Sequence, residues 1–191
     1  MTQSVSQLRP GSIVLVTGPA RSGKSEWAEQ LAADSHRPVL YIATAQVNAD
    51  DQEWQARIAL HQQRRPADWQ TLAVAVELAT AVATAPPAAC LLVDSLGTWL
   101  ANLLEQDEAT WQTTVDGLLE SLSQTPCPVI LVAEEVGWGV VPAYPMGRLF
   151  RDRLGGLIRH ISAIATTVYL VTGGYVLDLS VLGKPLRCKQ P

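Results

Sequence analysis

Short apolar runs alternate with longer stretches of helical spacing along most of the chain. Residues 13–17 form a β-branched run ending at Gly18, and Lys24–Asp34 carries Trp27, Ala28, Leu31 and Ala32 on one helical face. Val39–Ala43 reads as a second strand, and residues 50–65 as a polar helix stopped by Pro66. A short strand over 69–72 and a helix over 74–83 precede the Pro86-Pro87 break. Cys90–Asp94 is the next strand, followed by helices over 96–104 and 108–122 and a strand over 129–133. Glycine and proline mark 137–145 as a loop, 148–165 reads as a long helix, and Thr167–Thr172 as a strand. The tail 175–182 reads as a last edge strand. Continuously apolar strands alternating with helices predict a mostly parallel sheet covered on both faces. A length of 191 residues predicts one domain over 1–191.

Composition narrows the function classes. A hydrophobic fraction of 48% against 17% charged residues excludes a disordered chain, and a net charge of −4 supplies no basic field for nucleic acid or an anionic membrane. No apolar run reaches the ~18 residues of a membrane span, and the N-terminus lacks a signal pattern, so a soluble cytoplasmic protein is expected. Cys90, Cys127 and Cys188 are odd in number and widely spaced, which predicts reduced thiols rather than disulfides or a zinc site. Lys24 is the only lysine before Lys184.

That lysine lies in Gly18-Pro19-Ala20-Arg21-Ser22-Gly23-Lys24-Ser25, a full GxxxxGK[ST] match between a predicted strand and a predicted helix. In this context backbone N–H groups and a helix N-terminus cradle phosphate, Lys24 reaches the β- and γ-phosphates, and the Ser25 hydroxyl ligates Mg²⁺. The bland alternative is a plain glycine-rich strand-to-helix turn. Leu91-Leu92-Val93-Asp94 ends an apolar strand in a carboxylate that can sit beside the same metal, or simply serve a strand-end turn. The absence of an [NT]KxD element argues against a regulatory GTPase, and the pattern does not choose between ATP and GTP. Of the three histidines, His36 sits in a turn and His160 in a long helix. His61 shares a helical face with Trp54, Ile58 and Arg65, flanked by Arg57 and Arg64. Guanidinium neighbours favour neutral imidazole, which is a nucleophile, although a helix-surface histidine in a charged face has the same spacing.

Together these segments resemble the bifunctional adenosylcobinamide kinase / adenosylcobinamide-phosphate guanylyltransferase family of cobalamin biosynthesis. The resemblance rests on TGPARSGKS (17–25), YIATAQ (41–46), ARIALHQQRRP (56–66), LLVDSLGTWLANLL (91–104), EVGWGVVP (135–142) and FRDRLG (150–155). It implies a P-loop NTPase fold, a RecA-like three-layer α/β sandwich, assembled as a homotrimer. Trp99, Trp111 and Trp138 are the candidates for apolar contacts between subunits. It implies phosphorylation of the aminopropanol hydroxyl of adenosylcobinamide by ATP or GTP, then transfer of GMP from GTP onto that phosphate through a histidine. In this chain that histidine is His61, because Leu60 occupies the place where some members carry another. The resemblance further implies GTP contacts at Ala43, Thr44, Ala45, Gln62, Gln63, Arg64 and Arg65 and near Asp94. The chain departs from the family at Glu134, usually Asn, at Ala73, commonly Glu, and at Ile158, commonly Asn. Carboxylates for the kinase step could come from Asp94, Glu134 or Glu135, which the sequence does not rank. Two rivals remain on sequence alone. A P-loop kinase for a small metabolite needs no His61, and a nucleotide-binding regulatory protein would show no turnover.

Overall fold

The structure is a computed structural model that describes residues 8–46 and 65–186. Seven strands form one sheet: β1 (Ile13–Gly18), β2 (Val39–Ala43), β3 (Gln70–Ala73), β4 (Cys90–Asp94), β5 (Val129–Glu134), β6 (Thr167–Thr172) and β7 (Tyr175–Asp178). They lie in the order β3-β2-β4-β5-β1-β6-β7, and every pairing is parallel except β6 with β7. Among the described residues the helices are α1 (Lys24–Asp34), α2 (Leu78–Ala83), α3 (Leu96–Asn102), α4 (Glu108–Gln124), α5 (Pro145–Ile164) and α6 (Leu179–Leu182).

Strand alternation splits the core in two. Ile13, Leu15, Leu91, Val93, Val129 and Leu131 face one side, where α2, α3, α4 and α5 cover them. Val14, Val16, Cys90, Leu92, Ile130 and Val132 face the other, against Ala28, Leu31 and Ala32 of α1. Both faces of β1, β4 and β5 are therefore buried, which explains why these strands read as continuous apolar runs rather than as alternation.

The helix expected over 50–65 lies, but for Arg65, outside the described residues; the other predicted elements agree in order with those observed, with four local differences. The helix expected over 74–83 begins only at Leu78, because Val74 N–H still donates to the Ala43 carbonyl at the sheet edge. The long helix starts earlier, at Pro145, whose fixed φ suits a first turn and whose missing N–H has no partner to lose there. The edge strand stops at Asp178: its Oδ1 accepts from Ser180 N–H at 2.9 Å and Val181 N–H at 3.2 Å, capping α6 where extended chain was expected. Trp99 and Trp111 are not surface residues. They are 1% and 5% exposed and pack on each other in the core at 5.9 Å, with Trp99 Nε1 donating to the Val76 carbonyl at 2.8 Å. A buried indole needs that acceptor, so Trp99 is committed to the interior. Trp138 alone of the three is exposed, at 61%. Cys90 and Cys127 are free and buried, and burial pushes the Cys90 thiol up to about 11. Cys188 lies outside the described residues.

Candidate active site

Register places four strand ends side by side along the carboxyl edge of the sheet. Ala43 pairs with Asp94, Asp94 with Val132, and Gly18 with Glu134. In an open parallel sheet this edge is where connections diverge and leave a crevice. The chain leaves β1 at Gly18, turns through residues 19–23 and enters α1 at Lys24. Arg21 and Gly23 both have positive φ, 59° and 91°, which turns the backbone sharply into the helix. Ser22 N–H donates to the Pro19 carbonyl at 3.3 Å and Trp27 N–H to the Gly23 carbonyl at 2.9 Å. Lys24 is buried, and its Nζ donates to the Pro19 carbonyl at 3.3 Å, so the ammonium is folded inside the loop. Ser25 follows on the first turn of α1, half-buried.

The alternation that sorts the core also sorts the polar strand ends. Tyr41, Asp94 and Glu134 continue the rows of Val39, Leu92 and Val132, on the side of the sheet that carries α1. Tyr41 Oη donates to Asp94 Oδ2 at 2.9 Å. Burial and the Asp94 charge hold the phenol well above its ordinary range, with Arg65 pulling the other way. The Arg65 guanidinium lies 3.3 Å above the Tyr41 ring centre, a stacked cation–π contact. Glu134 is half-buried; Gly97 N–H donates to its Oε2 at 3.0 Å. Burial raises its carboxyl above the ordinary value and Asp94 adds to this, opposed by the Ser95 hydroxyl and the Lys24 charge. Glu135 points elsewhere: its Oε1 accepts from Thr17 Oγ1 at 2.9 Å, in the row of Ile13 and Leu15 on the opposite face.

A buried hydroxyl cluster holds the neighbouring backbone. Thr44 Oγ1 donates to the Ser95 carbonyl at 2.7 Å, accepts from Ser95 N–H at 3.0 Å and meets Thr98 Oγ1. Ser95 and Thr98 form a capping box that starts α3. Asn102 Nδ2 donates to the Thr44 carbonyl at 2.8 Å and the Ala75 carbonyl at 2.9 Å, tying Ala43, Thr44 and Ala45 to α3.

The structure thus brings together residues 18–25, Ala43–Ala45, Arg65 and Asp94. His61, Gln62, Gln63 and Arg64, with Arg57, lie outside the described residues. His36 and His160 are exposed. Tyr41 and Gly97 were not singled out as site residues by pattern, whereas Glu134 was one of three carboxylates, with Asp94 and Glu135, considered for the kinase step. Tyr41 and Gly97 look like ordinary strand and helix positions in the sequence, and only the fold shows what they touch. Among the described residues no cluster of three or more His, Cys, Asp and Glu side chains could hold a metal ion. A hydroxyl and one carboxylate are nonetheless the hard oxygen donors that Mg²⁺ takes when phosphate and water complete its shell, so Ser25 and Asp94 fit such a site by donor chemistry. No helix among the described residues is long and apolar enough to cross a membrane.

Comparison with known proteins adds a consistent set of likenesses. The family described as cobinamide kinase / cobinamide phosphate guanyltransferase matches residues 14–179. The chain is 44% identical over 177 residues to the bifunctional adenosylcobalamin biosynthesis protein CobP of Pseudomonas aeruginosa, covering 90% of this chain and 98% of that one. It is 38% identical over 177 residues to the bifunctional adenosylcobalamin biosynthesis protein CobU of Salmonella typhimurium, covering 85% and 96%. Among solved structures, a structural-study target from Pyrococcus horikoshii OT3 superposes with a TM-score of 0.56 at 9% identity, covering 90% of this chain and 87% of that one. The flagellar accessory protein FlaH of Methanocaldococcus jannaschii gives a TM-score of 0.51 at 14% identity, covering 94% and 84%. At these identities the solved structures bear on the fold alone, a RecA-like α/β sandwich of the P-loop class.

Proposed function

The chain belongs to the cobinamide kinase / cobinamide phosphate guanyltransferase family and is a bifunctional transferase of cobalamin biosynthesis; on that premise we propose how its residues divide the two reactions. The nucleotide, ATP or GTP in the kinase step, takes the loop Gly18, Pro19, Ala20, Arg21, Ser22, Gly23, Lys24, Ser25. The observation that carries this is the burial of Lys24 at the start of α1, on the face that also holds Asp94. Backbone N–H groups and the Lys24 ammonium neutralise the phosphates, and positioning does most of the catalytic work in phosphoryl transfer. Mg²⁺ held by Ser25 and Asp94 would supply charge neutralisation across the phosphates. Tyr41, bonded to one carboxylate oxygen, orients Asp94.

In the guanylyl step the neutral imidazole of His61 attacks the α-phosphorus of GTP. The N–P bond forms, the bond to the bridging oxygen breaks and pyrophosphate leaves. A phosphate oxygen of adenosylcobinamide phosphate then attacks the same phosphorus and the N–P bond breaks, giving adenosylcobinamide-GDP. Two displacements replace one direct reaction between anions. Ala43, Thr44, Ala45, Gln62, Gln63, Arg64 and Arg65 contact GTP in this reading, and the hydroxyl cluster around Thr44 supports it by fixing that backbone. Both reactions belong to one domain over 1–191 in a cytoplasmic homotrimer.

The test separates the reactions at His61. His61→Ala should lose protein-bound label from α-labelled GTP and lose adenosylcobinamide-GDP, while still phosphorylating adenosylcobinamide. A labelled adduct that persists in the variant would place the nucleophile elsewhere.

A further inference from the structure

Tyr41 makes two contacts near the carboxyl edge of the sheet, one through its hydroxyl and one through its ring. The hydroxyl donates to Asp94 Oδ2 at 2.9 Å. The ring carries the Arg65 guanidinium, whose central carbon lies 3.3 Å above the ring centre. One side chain therefore touches both the carboxylate assigned to the kinase step and an arginine assigned to GTP.

The fold builds the ring contact from both sides. Tyr41 is buried, on a strand hydrogen-bonded between β3 and β4, and its hydroxyl bond fixes the ring at its far end. On the other side, Pro66 follows Arg65 and favours extended backbone at the arginine. Trp69 N–H closes the next turn on the Pro66 carbonyl at 3.2 Å. β3 then starts at Gln70, pairing Gln70 with Leu40 and Thr71 with Tyr41. The short connection 66–69 thus delivers Arg65 over the ring. A guanidinium stacked on a ring uses its flat face and keeps its N–H groups in plane. Those edges suit phosphate oxygens, as charge-assisted hydrogen bonds. Arg65 Nε is buried and has no hydrogen-bond partner among the described residues. Held flat, the side chain has already given up rotamer freedom that a loose arginine loses on binding.

We propose that the Tyr41 ring is a positioning platform for the guanylyl step, holding the Arg65 guanidinium in place to bind GTP. Tyr41 acts through Arg65 and makes no bond to the nucleotide. This rests on the reading above that Arg65 contacts GTP.

The experiment uses the full chain with Tyr41→Phe, Tyr41→Leu and Arg65→Ala, and with each Tyr41 variant combined with Arg65→Ala. The quantity read is kcat/KM for GTP in guanylyl transfer to supplied adenosylcobinamide phosphate, with thermal melts on every variant. Both Tyr41 variants lose the Asp94 bond, so whatever Asp94 carries is common to them, and only leucine removes the ring. Tyr41→Leu should fall about tenfold below Tyr41→Phe. In the Arg65→Ala background the two should agree within about twofold. Equal values for the two single variants overturn the assignment. A tenfold gap that persists without Arg65 also overturns it, since the ring would then be a structural support. If Tyr41→Leu does not fold, Tyr41→Met, a flexible unbranched filler, takes its place with the same expectations. Arg65→Ala at the wild-type value would remove the GTP contact on which this rests. A fall in Arg65→Ala with no gap between the Tyr41 variants would overturn the role of the ring alone.

Discussion

Gly18→Ala adds one methyl group at the junction of β1 and the loop, and the structure says where it must go. A Cβ there would lie 2.3 Å from the Val171 carbonyl oxygen and 2.7 Å from Ser22 Oγ. The serine can rotate away. The carbonyl cannot, because it belongs to β6, which pairs with β1 from Val14↔Thr167 to Thr17↔Leu170. Carbon–oxygen contacts begin near ~3.3 Å, so roughly 1 Å has to be absorbed by backbone at a sheet joint. Overpacking of this kind costs about 1–3 kcal/mol. For a chain of this length each kcal/mol moves the melting temperature by about 2–4 °C, so a fall of roughly 2–12 °C is expected. The loop origin shifts with it, and a misplacement of about 1 Å can cost ~100-fold in rate. The kinase activity should fall, since its nucleotide sits on this loop in our reading. Thermal melts and a kinase rate assay check this. Gly117→Ala is the internal control: a Cβ at Gly117, inside α4, meets nothing within 4 Å. Alanine there should stabilise the helix by up to ~1 kcal/mol. A Gly18→Ala protein that melts with the wild type and phosphorylates at its rate would refute the reasoning.

Tyr41→Phe strips Asp94 Oδ2 of its 2.9 Å donor. A hydrogen bond to a charged group is worth about 1.5–3 kcal/mol, so the melting temperature should drop by several degrees; an unchanged value would show that the bond contributes nothing. Glu134 gives a pH signature of stability. Its folded-state carboxyl lies above its ordinary value, so the folded protein favours the neutral form and becomes less stable as pH rises through that raised value. Glu134→Gln carries no such penalty. Its stability relative to wild type should therefore increase from pH 5 to pH 8 in denaturant titrations, and a constant difference would contradict the buried-carboxylate account.

Much of this protein was legible before any coordinates. The apolar runs placed β1, β4 and β5, because strands buried on both faces must be apolar at nearly every position, and the shorter apolar runs of β2 and β6 placed these partly buried strands beside them. The loop around Lys24 was equally readable, because the residue types that curl a backbone into a helix N-terminus are local in sequence. What stayed hidden depends on contacts between distant residues. Nothing near Trp99 in sequence says that its indole N–H finds the Val76 carbonyl, so its burial could not be told from surface exposure. The stop of β7 at Asp178 hangs on a side chain choosing to cap the next turn. The ranking of Asp94, Glu134 and Glu135 was beyond the sequence because all three are carboxylates at strand ends. Only the sheet order, the side each strand end faces, and the partners Tyr41, Gly97 and Thr17 tell them apart. Local propensity and periodicity decide which segments become strands and helices; which side chains meet across them is decided when the sheet closes its register.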